Sequence, residues 1–358
     1  MMKVGIMTFQ ETNNYGAILQ NYALQKALQK LGAEAETIDY KSEYIAKPYH
    51  LSHLKRKGLF GYGFGLIGYI CYAFRGKNNK KFRKNISYSK PVSYEELKSL
   101  NGTYDKFIAG SDQVWNYNLT GHDDAYCLSF VDDSGKKCSY AASLGVKEVS
   151  EEDGRWFVEK LADYTHLLVR EKSAAALLTS LLKRDVTTVL DPVFLLEKEE
   201  WNEVISERLV KEKYIAVYQL GISKEMVQYA KETAKKYGCK LIFLPFPMIG
   251  LAKGKYHISA GAAEVLNYLY YADYVITDSF HGTALSIIFQ KKFTTHIGGT
   301  HGKVNSRISD MLEMFGLSGR AWSSSIEIDS EIAYEKVAEI MDAERKKSYG
   351  HLKCLLEK

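Results

Sequence analysis

The sequence predicts an α/β protein built from two Rossmann-like domains that face a cleft. Three observations support this fold class. The chain has 358 residues, which suits two domains of ordinary size. Short apolar segments alternate with amphipathic helical segments along most of its length. The alternation restarts near Tyr214, which divides the chain into two β/α series of similar size.

The first series opens with a strand–helix–strand pattern. Residues 3–8 have an apolar centre and predict a buried strand, and residues 16–31 place their apolar side chains on one helical face. Gly32 stands where a helix ends, and residues 35–40 predict the second strand. Strands joined by a helix in this way are expected to be parallel.

The predicted domain boundary lies between residues 195 and 196. Residues 1–195 form an N-terminal Rossmann-like domain with a helical insertion near 50–100. Residues 196–358 form a C-terminal Rossmann-like domain that includes a helix near Lys198–Leu209. Its final helix, about 328–346, is a candidate to pack back across the domains.

The segment 55–84 interrupts the alternation. A glycine-rich aromatic run stands there between lysine and arginine clusters. A bilayer span needs about 20 apolar residues, and this run is shorter. We favour a pair of helices that cap the cleft. The alternative is peripheral contact of this basic segment with the inner face of the membrane.

Composition excludes several classes of protein. The formal net charge of +5 is small for this length and does not favour nucleic-acid binding. The five cysteines show no C-x-x-C spacing, so neither a disulfide framework nor a zinc site is indicated. Reduced thiols and an N-terminus without a secretory pattern predict a cytoplasmic location.

Candidate site residues follow the predicted strands, where open parallel sheets bind ligands. Any one of them alone is compatible with a simple turn. The set after strands of the first series contains Asn14, Gly16, Asp112, Ser143 and Arg170. The set after a strand of the second series contains Ser279, His281 and Gly282.

The run Asp278-Ser279-Phe280-His281-Gly282 is the strongest local pattern. Asp278 or Ser279 can cap the next helix, and His281 then lies in its first turn, where anions are favoured. Gly282 would let a ligand approach the backbone. The alternative is an ordinary helix cap with a hydrogen-bonded histidine.

Four further side chains have two interpretations each. Arg170 would bind an anionic oxygen pair, or pair with Glu171 or with a carboxylate of the other domain. Arg307 would add a cation to the cleft, or be surface charge. Trp115 would stack on a sugar, or fill the top of the sheet. Asp112 would accept a hydroxyl proton, or cap a turn.

Several catalytic patterns are missing from the sequence. It contains no G-x-S-x-G, no Walker loop and no H-E-x-x-H. His122 with Asp123 and Asp124 is more typical of a solvated acidic loop than of a metal site. We therefore expect neither a metal nor an organic cofactor.

The combined motifs resemble the polysaccharide pyruvyl transferase family. The matching stretches run in order along nearly the whole chain and include 13–17, 109–116, 140–145, 169–172, 190–192 and 277–283. The resemblance implies two Rossmann-like domains of GT-B type. It also implies phosphoenolpyruvate as donor, a sugar of a polysaccharide or of its lipid-linked precursor as acceptor, and a cyclic pyruvate ketal as product.

The resemblance also implies roles for individual residues. His281 is the candidate acid or phosphate ligand, Arg170 would hold phosphate or carboxylate, and Asp112 is a weaker candidate base. Better-known members carry Arg-x-His where this chain has Ser279-Phe280-His281, which indicates a Ser-Phe-His branch. Arg307 is a candidate to replace the missing cation. The alternative function is a GT-B glycosyltransferase that uses a nucleotide sugar.

Overall fold

The computed structural model describes residues 1–46, 73–146, 148–221, 223–244, 255–257, 259–297, 306–322, 326 and 328–357. The predictions placed on residues 47–72 lie outside this part of the chain. Most of the basic aromatic segment 55–84 is among them. No helix within the described ranges is long and apolar enough to cross a bilayer.

The chain forms two compact units. The first contains the described residues of Met1–Gly58, Arg83–Leu196 and Ala343–Lys358. The second contains those of Leu59–Phe82 and Glu197–Asp342.

The first unit is built on a parallel sheet. Its strands are β1 (Lys3–Met7), β2 (Glu34–Thr37), β3 (Lys106–Ala109) and β4 (Lys137–Ser139), in the order β2-β1-β3-β4. A second parallel pair, β5 (Leu168–Val169) and β6 (Thr187–Thr188), continues beyond β4 through isolated bridges. The order matches a doubly wound fold in which the connections reverse between β1 and β3.

Helices cover both faces of this sheet. Asn14 caps the first of them, and the apolar face of that helix is buried together with strands β1 and β3. The helices up to residue 182 are α1 (Tyr15–Lys30), α2 (Glu43–Ala46), α3 (73–82), α4 (Tyr117–Thr120), α5 (Glu151–Leu161) and α6 (Lys172–Leu182).

The helix of the predicted insertion, α3, is grouped with the second unit. The sequence placed it in the N-terminal domain. Asn79 on α3 accepts a hydrogen bond from the Ala262 backbone N–H (2.9 Å), and Asn78 donates to the Ser259 carbonyl (2.7 Å). These contacts cross about half the chain, so no local pattern announces them.

The second unit has a five-stranded parallel sheet. Its strands are β7 (Tyr214–Tyr218), β8 (Lys240–Leu244), β9 (Lys255–Tyr256), β10 (Tyr274–Thr277) and β11 (Lys292–Thr295), in the order β11-β10-β7-β8-β9. The connections reverse between β7 and β10. The helices are α7 (Lys224–Tyr237), α8 (Ala262–Tyr271), α9 (Phe280–Ile288) and α10 (Ser306–Met314).

The predicted helix near Lys198–Leu209 is wrong. The structure has only a 3₁₀ turn, Glu200–Glu203, in this stretch. The following backbone is held by Asn267 of α8, whose amide donates to the carbonyls of Ser206 (2.8 Å) and Glu207 (2.9 Å). These carbonyl groups therefore accept hydrogen bonds from the Asn267 side chain, and they do not need the backbone N–H partners that a helix would supply.

The last helix, α11 (Tyr334–Leu355), begins and ends later than predicted. Its start is delayed because Arg320 binds the carbonyls of Ile328 (3.2 Å) and Glu331 (3.2 Å). Its end is extended because Leu352 and Leu355 are fully buried in the core of the first unit. Residues 343–358 therefore belong to the first unit.

Lys291, between α9 and β11, gives the second unit a pH-dependent stability. Burial, followed by the nearby charge of Lys198, lowers its pKa from the ordinary 10.5 to about 8. Between these values the unfolded chain binds more protons than the folded chain, so stability rises with pH from about 8 upward. Below pH 8 the buried charge costs up to about 3 kcal/mol.

We therefore expect Lys291→Met to be more stable than the unchanged protein at pH 7 and to lose most of this advantage as the pH rises to 10.5. Urea unfolding of both proteins across this range measures the difference. A constant difference at every pH would contradict the lowered pKa.

Candidate functional site

Polar residues of the first unit lie together at the carboxyl edge of its sheet, where the chain connections reverse between β1 and β3. Thr8 follows β1, and its hydroxyl donates to the Ser111 carbonyl after β3 (2.9 Å). Asn14 then caps α1, because its Oδ1 accepts from the Gly16 backbone N–H (2.8 Å). The structure thus gives Asn14 and Gly16 a capping contact at the carboxyl edge of the sheet.

Asp112 occupies a strained position at the same edge. Its φ of 79° lies in the left-handed region, which asparagine and aspartate tolerate better than most residues. Its side chain accepts from the Gln113 N–H (2.8 Å), and its carbonyl accepts from the Ser143 N–H (3.0 Å). The loops after β3 and β4 are thereby joined.

Arg170 stands at the centre of a buried ionic network. Its Nη1 donates to Asp191 Oδ2 (2.6 Å), and its Nε donates to Glu171 Oε1 (3.2 Å). Two hydroxyl groups join the same carboxylates: Ser111 donates to Asp191 (3.1 Å) and Ser143 to Glu171 (2.7 Å).

The charges of this network are unbalanced. Burial alone would lower the pKa of the Arg170 guanidinium, but attraction by Glu171, Asp191 and Asp112 raises it above its ordinary value. Among the described contacts, this one cation faces three carboxylates. Of the alternatives predicted for Arg170, the structure has the internal pair with Glu171, extended by Asp191 of the same unit. The excess of carboxylates disfavours a phosphate there.

Trp115 is a core residue, which corrects its prediction as a sugar-stacking side chain. It is 1% exposed, and its indole N–H donates to the Tyr126 carbonyl (3.1 Å). Its ring meets Tyr164 edge to face at 5.9 Å. The alternative interpretation, that it fills the top of the sheet, describes it correctly.

In the second unit, Asp278 fixes the loop after β7. Its two carboxylate oxygens accept from the backbone N–H groups of Leu220 (2.6 Å) and Gly221 (3.1 Å). Burial raises the pKa of Asp278, while these two donors and the charge of His296 lower it, with a net increase. Asp278 therefore links the loop after β7 to the end of β10, at the position where the chain connections of this sheet reverse.

Ser279, and not Asp278, caps α9. Its hydroxyl accepts from the Gly282 N–H (3.3 Å). A Cβ atom at Gly282 would lie 2.4 Å from Thr277 Oγ1 and 2.8 Å from Tyr218 Cδ1. The glycine is thus required by packing of α9 on the sheet. The close approach of a ligand at Gly282 stays a prediction.

Gly282→Ala is expected to destabilise the protein by about 1–3 kcal/mol, because the new methyl group cannot fit without displacing the strand. Gly350→Ala is the matched control. Its added Cβ would meet no described atom within 4 Å, and alanine is the better helix former. Thermal unfolding of both variants measures the effect, and equal unfolding temperatures would refute it.

His281 lies in the first turn of α9. It is 8% exposed, and its ring packs edge to face on Phe280 at 5.2 Å. The Arg307 guanidinium of α10 lies 5.9 Å from the centre of the Phe280 ring. The structure therefore brings Ser279, His281, Gly282 and Arg307 together, at the carboxyl edge of the second sheet.

Sequence reasoning did not select several residues at these edges. Asp191 belonged to a matching motif but was not chosen, although it directly follows an apolar segment. His296 follows β11 in the same way as Asp278 follows β10. Strand-end position was the available signal for both. Their partners depend on sheet order, which the sequence did not reveal.

A lysine-rich groove lies elsewhere in the second unit. It has a volume of about 810 Å³ and is lined by five lysines, Lys211, Lys231, Lys235, Lys240 and Lys255. It lies at the amino ends of β7 and β8, whereas the candidate residues follow the carboxyl ends of strands. It contains none of the predicted site residues.

Comparison with known families identifies the chain's relatives. The sequence profile of the polysaccharide pyruvyl transferase family matches residues 14–298. The chain belongs to the polysaccharide pyruvyl transferase family. It is therefore a member of a transferase family that acts in polysaccharide biosynthesis, and a glycan or sugar acceptor follows from that membership.

Solved structures with the same fold have very different sequences. A candidate UDP-N-acetylglucosamine 2-epimerase of Listeria monocytogenes is 9% identical, with a TM-score of 0.55 over 98% of this chain and 90% of that one. The UDP-GlcNAc 2-epimerase of Methanocaldococcus jannaschii is 12% identical, with a TM-score of 0.54 over 96% and 92%. The predicted fold class of two Rossmann-like, GT-B-like units is confirmed. The comparison with curated proteins gives no significant match.

Proposed function

We propose that the protein transfers the pyruvyl group of phosphoenolpyruvate to a sugar of a cell-surface polysaccharide or of its lipid-linked precursor. The product is a cyclic ketal. The position of His281 carries the proposal: it lies in the first turn of α9 and within the range matched by the family, next to Phe280, whose ring the Arg307 guanidinium contacts. Phosphoenolpyruvate is the co-substrate, and the chemistry requires no metal and no organic cofactor.

The reaction begins at the methylene carbon of phosphoenolpyruvate. A proton from an acid, for which His281 is the candidate, adds to this carbon and makes it a methyl group. The neighbouring carbon becomes electron-poor and is attacked by one sugar hydroxyl. The histidine in the first helical turn also lies where a phosphate is favoured.

The second half of the reaction closes the ring. The C–O bond to phosphate breaks with its electron pair on phosphate, and the second hydroxyl attacks the same carbon. The two sugar hydroxyl groups release one proton each. One of these protons replaces the proton that the acid gave to the methyl group, and the other leaves with the phosphate as hydrogen phosphate. Asp112 is the candidate base for one of them.

The positive charge at the donor site is assigned to Arg307. Ser279 stands where better-known members have arginine, and in this chain it is 2% exposed and caps α9. Arg307 reaches the same helix turn from α10. It is the proposed substitute for the missing cation, and Arg170, surrounded by carboxylates, is the weaker candidate for the donor phosphate.

Ligand-dependent stabilisation tests the donor. Millimolar phosphoenolpyruvate is expected to raise the unfolding temperature of the protein, whereas uridine diphosphate is expected to leave it unchanged. Arg307→Gln is expected to abolish the rise without changing the unfolding temperature of the free protein. Stabilisation by uridine diphosphate alone would overturn the proposal.

That contrary result would favour a glycosyltransferase that uses a nucleotide sugar. The observation behind this second candidate is the similarity to structures named as UDP-GlcNAc epimerases, with TM-scores of 0.55 and 0.54. We rank it second because those relationships rest on the fold alone.

A cytoplasmic location is part of the proposal, with peripheral contact through 55–84 as the alternative. The four described cysteines are free thiols. Fractionation of cells that express the protein measures how it divides between cytosol and membrane.

A further inference from the structure

The second sheet ends in a row of aligned residues. Three register pairs define the last row of the sheet: Tyr218 with Thr277, Thr277 with Thr295, and Thr295 with Ala321. The residue that follows each member of this row continues the alignment at the carboxyl edge. These four residues, here called the edge row, are Gln219, Asp278, His296 and Trp322.

Backbone hydrogen bonds hold the edge row in register. The His296 N–H donates to the Thr277 carbonyl, and the Trp322 N–H donates to the Thr295 carbonyl, both at 2.7 Å. The parallel ladder thus extends one residue beyond the strands. Members of one row point to the same face of a sheet.

The edge row faces α7, whereas the preceding row faces α9. Thr295 contacts Thr283 of α9 (2.9 Å). Alternation turns the next residue toward α7, and two contacts agree with this: His296 Nε2 lies 3.7 Å from Glu225 Oε2, and Gln219 Nε2 donates to the Ser223 carbonyl (3.4 Å). The edge row is therefore on the opposite side of the sheet from His281.

Three polar atoms of the edge row lack hydrogen bonds within the described residues. They are Gln219 Oε1, His296 Nδ1 and Trp322 Nε1. Gln219 is 2% exposed and His296 is 3% exposed. A buried polar group without a partner costs about 1–3 kcal/mol, so three at one edge point to a ligand that supplies the partners.

The chemistry of these atoms selects the kind of ligand. An indole N–H donates, an amide oxygen accepts, and a neutral imidazole does one at each nitrogen. The rings of His296 and Trp322 pack at 4.8 Å, and Trp322 is partly exposed. The carboxylates nearby, Asp278 and Glu225, disfavour a phosphate. Donors, acceptors and a partly exposed indole ring, without excess positive charge, suit an uncharged ring with many hydroxyl groups.

We infer that the edge row is a sugar-binding subsite on the α7 side of the second unit. The ring it holds is uncharged and rich in hydroxyl groups, and it belongs to the glycan acceptor. In this respect the inference rests on the proposed function. His296 and Trp322 donate to ring hydroxyls, and Gln219 accepts from one.

Tryptophan fluorescence of the complete protein tests the subsite without phosphoenolpyruvate. Galactose, glucose, N-acetylglucosamine and N-acetylmannosamine are titrated separately. At least one is expected to change the emission in a saturable way. In His296→Gln its binding is expected to weaken roughly three- to tenfold, because one hydrogen bond is lost. In Trp322→Phe the fluorescence change is expected to disappear.

A second tryptophan–histidine pair provides the control. Trp156 packs on His122 at 5.1 Å in the first unit, so Trp156→Phe should keep the sugar response. The inference is overturned if no sugar changes the emission, if Trp322→Phe retains the response, or if only inorganic phosphate produces one. If one of the variants His296→Gln and Trp322→Phe does not fold, the other variant and the unchanged protein still test the inference. Phosphate release from phosphoenolpyruvate is measured separately, so failure of the subsite and failure of the proposed function are distinguishable.

Discussion

Replacing His281 with glutamine is expected to lower the rate of phosphate release from phosphoenolpyruvate by about 10²- to 10⁴-fold. Glutamine keeps the approximate size and a hydrogen-bonding end, but it cannot transfer a proton at neutral pH. His281 lies in the first turn of α9 and packs on Phe280, so the substitution should leave the helix intact. Steady-state kinetics with an acceptor glycan provide the measurement.

The control for this variant is His351→Gln on α11, which is expected to keep full activity. The unfolding temperature of His281→Gln should remain within a few degrees of the unchanged protein. If His281→Gln turned over normally, the assignment of His281 as the acid would be wrong. If only the KM for phosphoenolpyruvate rose, His281 would be a phosphate ligand.

Arg170→Met is expected to destabilise the protein by about 3–5 kcal/mol, because it leaves buried carboxylates without their cation. The partners are Asp191 and Glu171, whose side chains are 0% and 6% exposed. Urea unfolding gives the change in stability, and this loss should exceed that of any surface arginine, such as Arg155→Met.

A second substitution separates structure from ligand binding. Asp191→Asn removes one of the excess charges, so Arg170→Met with Asp191→Asn should be less destabilised than the sum of the single variants. A stable Arg170→Met protein with a raised KM for phosphoenolpyruvate would contradict this account. It would instead support Arg170 as a ligand of the donor.

Much of the fold was predictable because its signals are local. Strand Lys3–Met7 and helix Tyr15–Lys30 lie within one residue of where periodicity placed them. Long-range contacts decided the exceptions. Asn267 donates a hydrogen bond to the backbone near residue 206, where a helix was predicted. Asn79 accepts a hydrogen bond from Ala262, which links α3 to the second unit. Neither interaction leaves a pattern in the neighbouring sequence.

The candidate site was predictable to the same extent. Strand-end position selected polar residues that the structure places at the carboxyl edges of both sheets, and their role in ligand binding stays a prediction. It did not reveal that Trp115 is buried or that Arg170 binds Asp191. The edge row depends on strand register, which periodicity alone does not determine.

Mass spectrometry of a glycan acceptor after incubation with phosphoenolpyruvate tests the proposed pyruvyl transfer. A lipid-linked oligosaccharide or a galactoside serves as acceptor, and His281→Gln serves as the inactive reference. We expect the acceptor to gain one pyruvyl ketal for each phosphate released. An acceptor that stays unmodified with phosphoenolpyruvate but gains a hexose from a nucleotide sugar would contradict it.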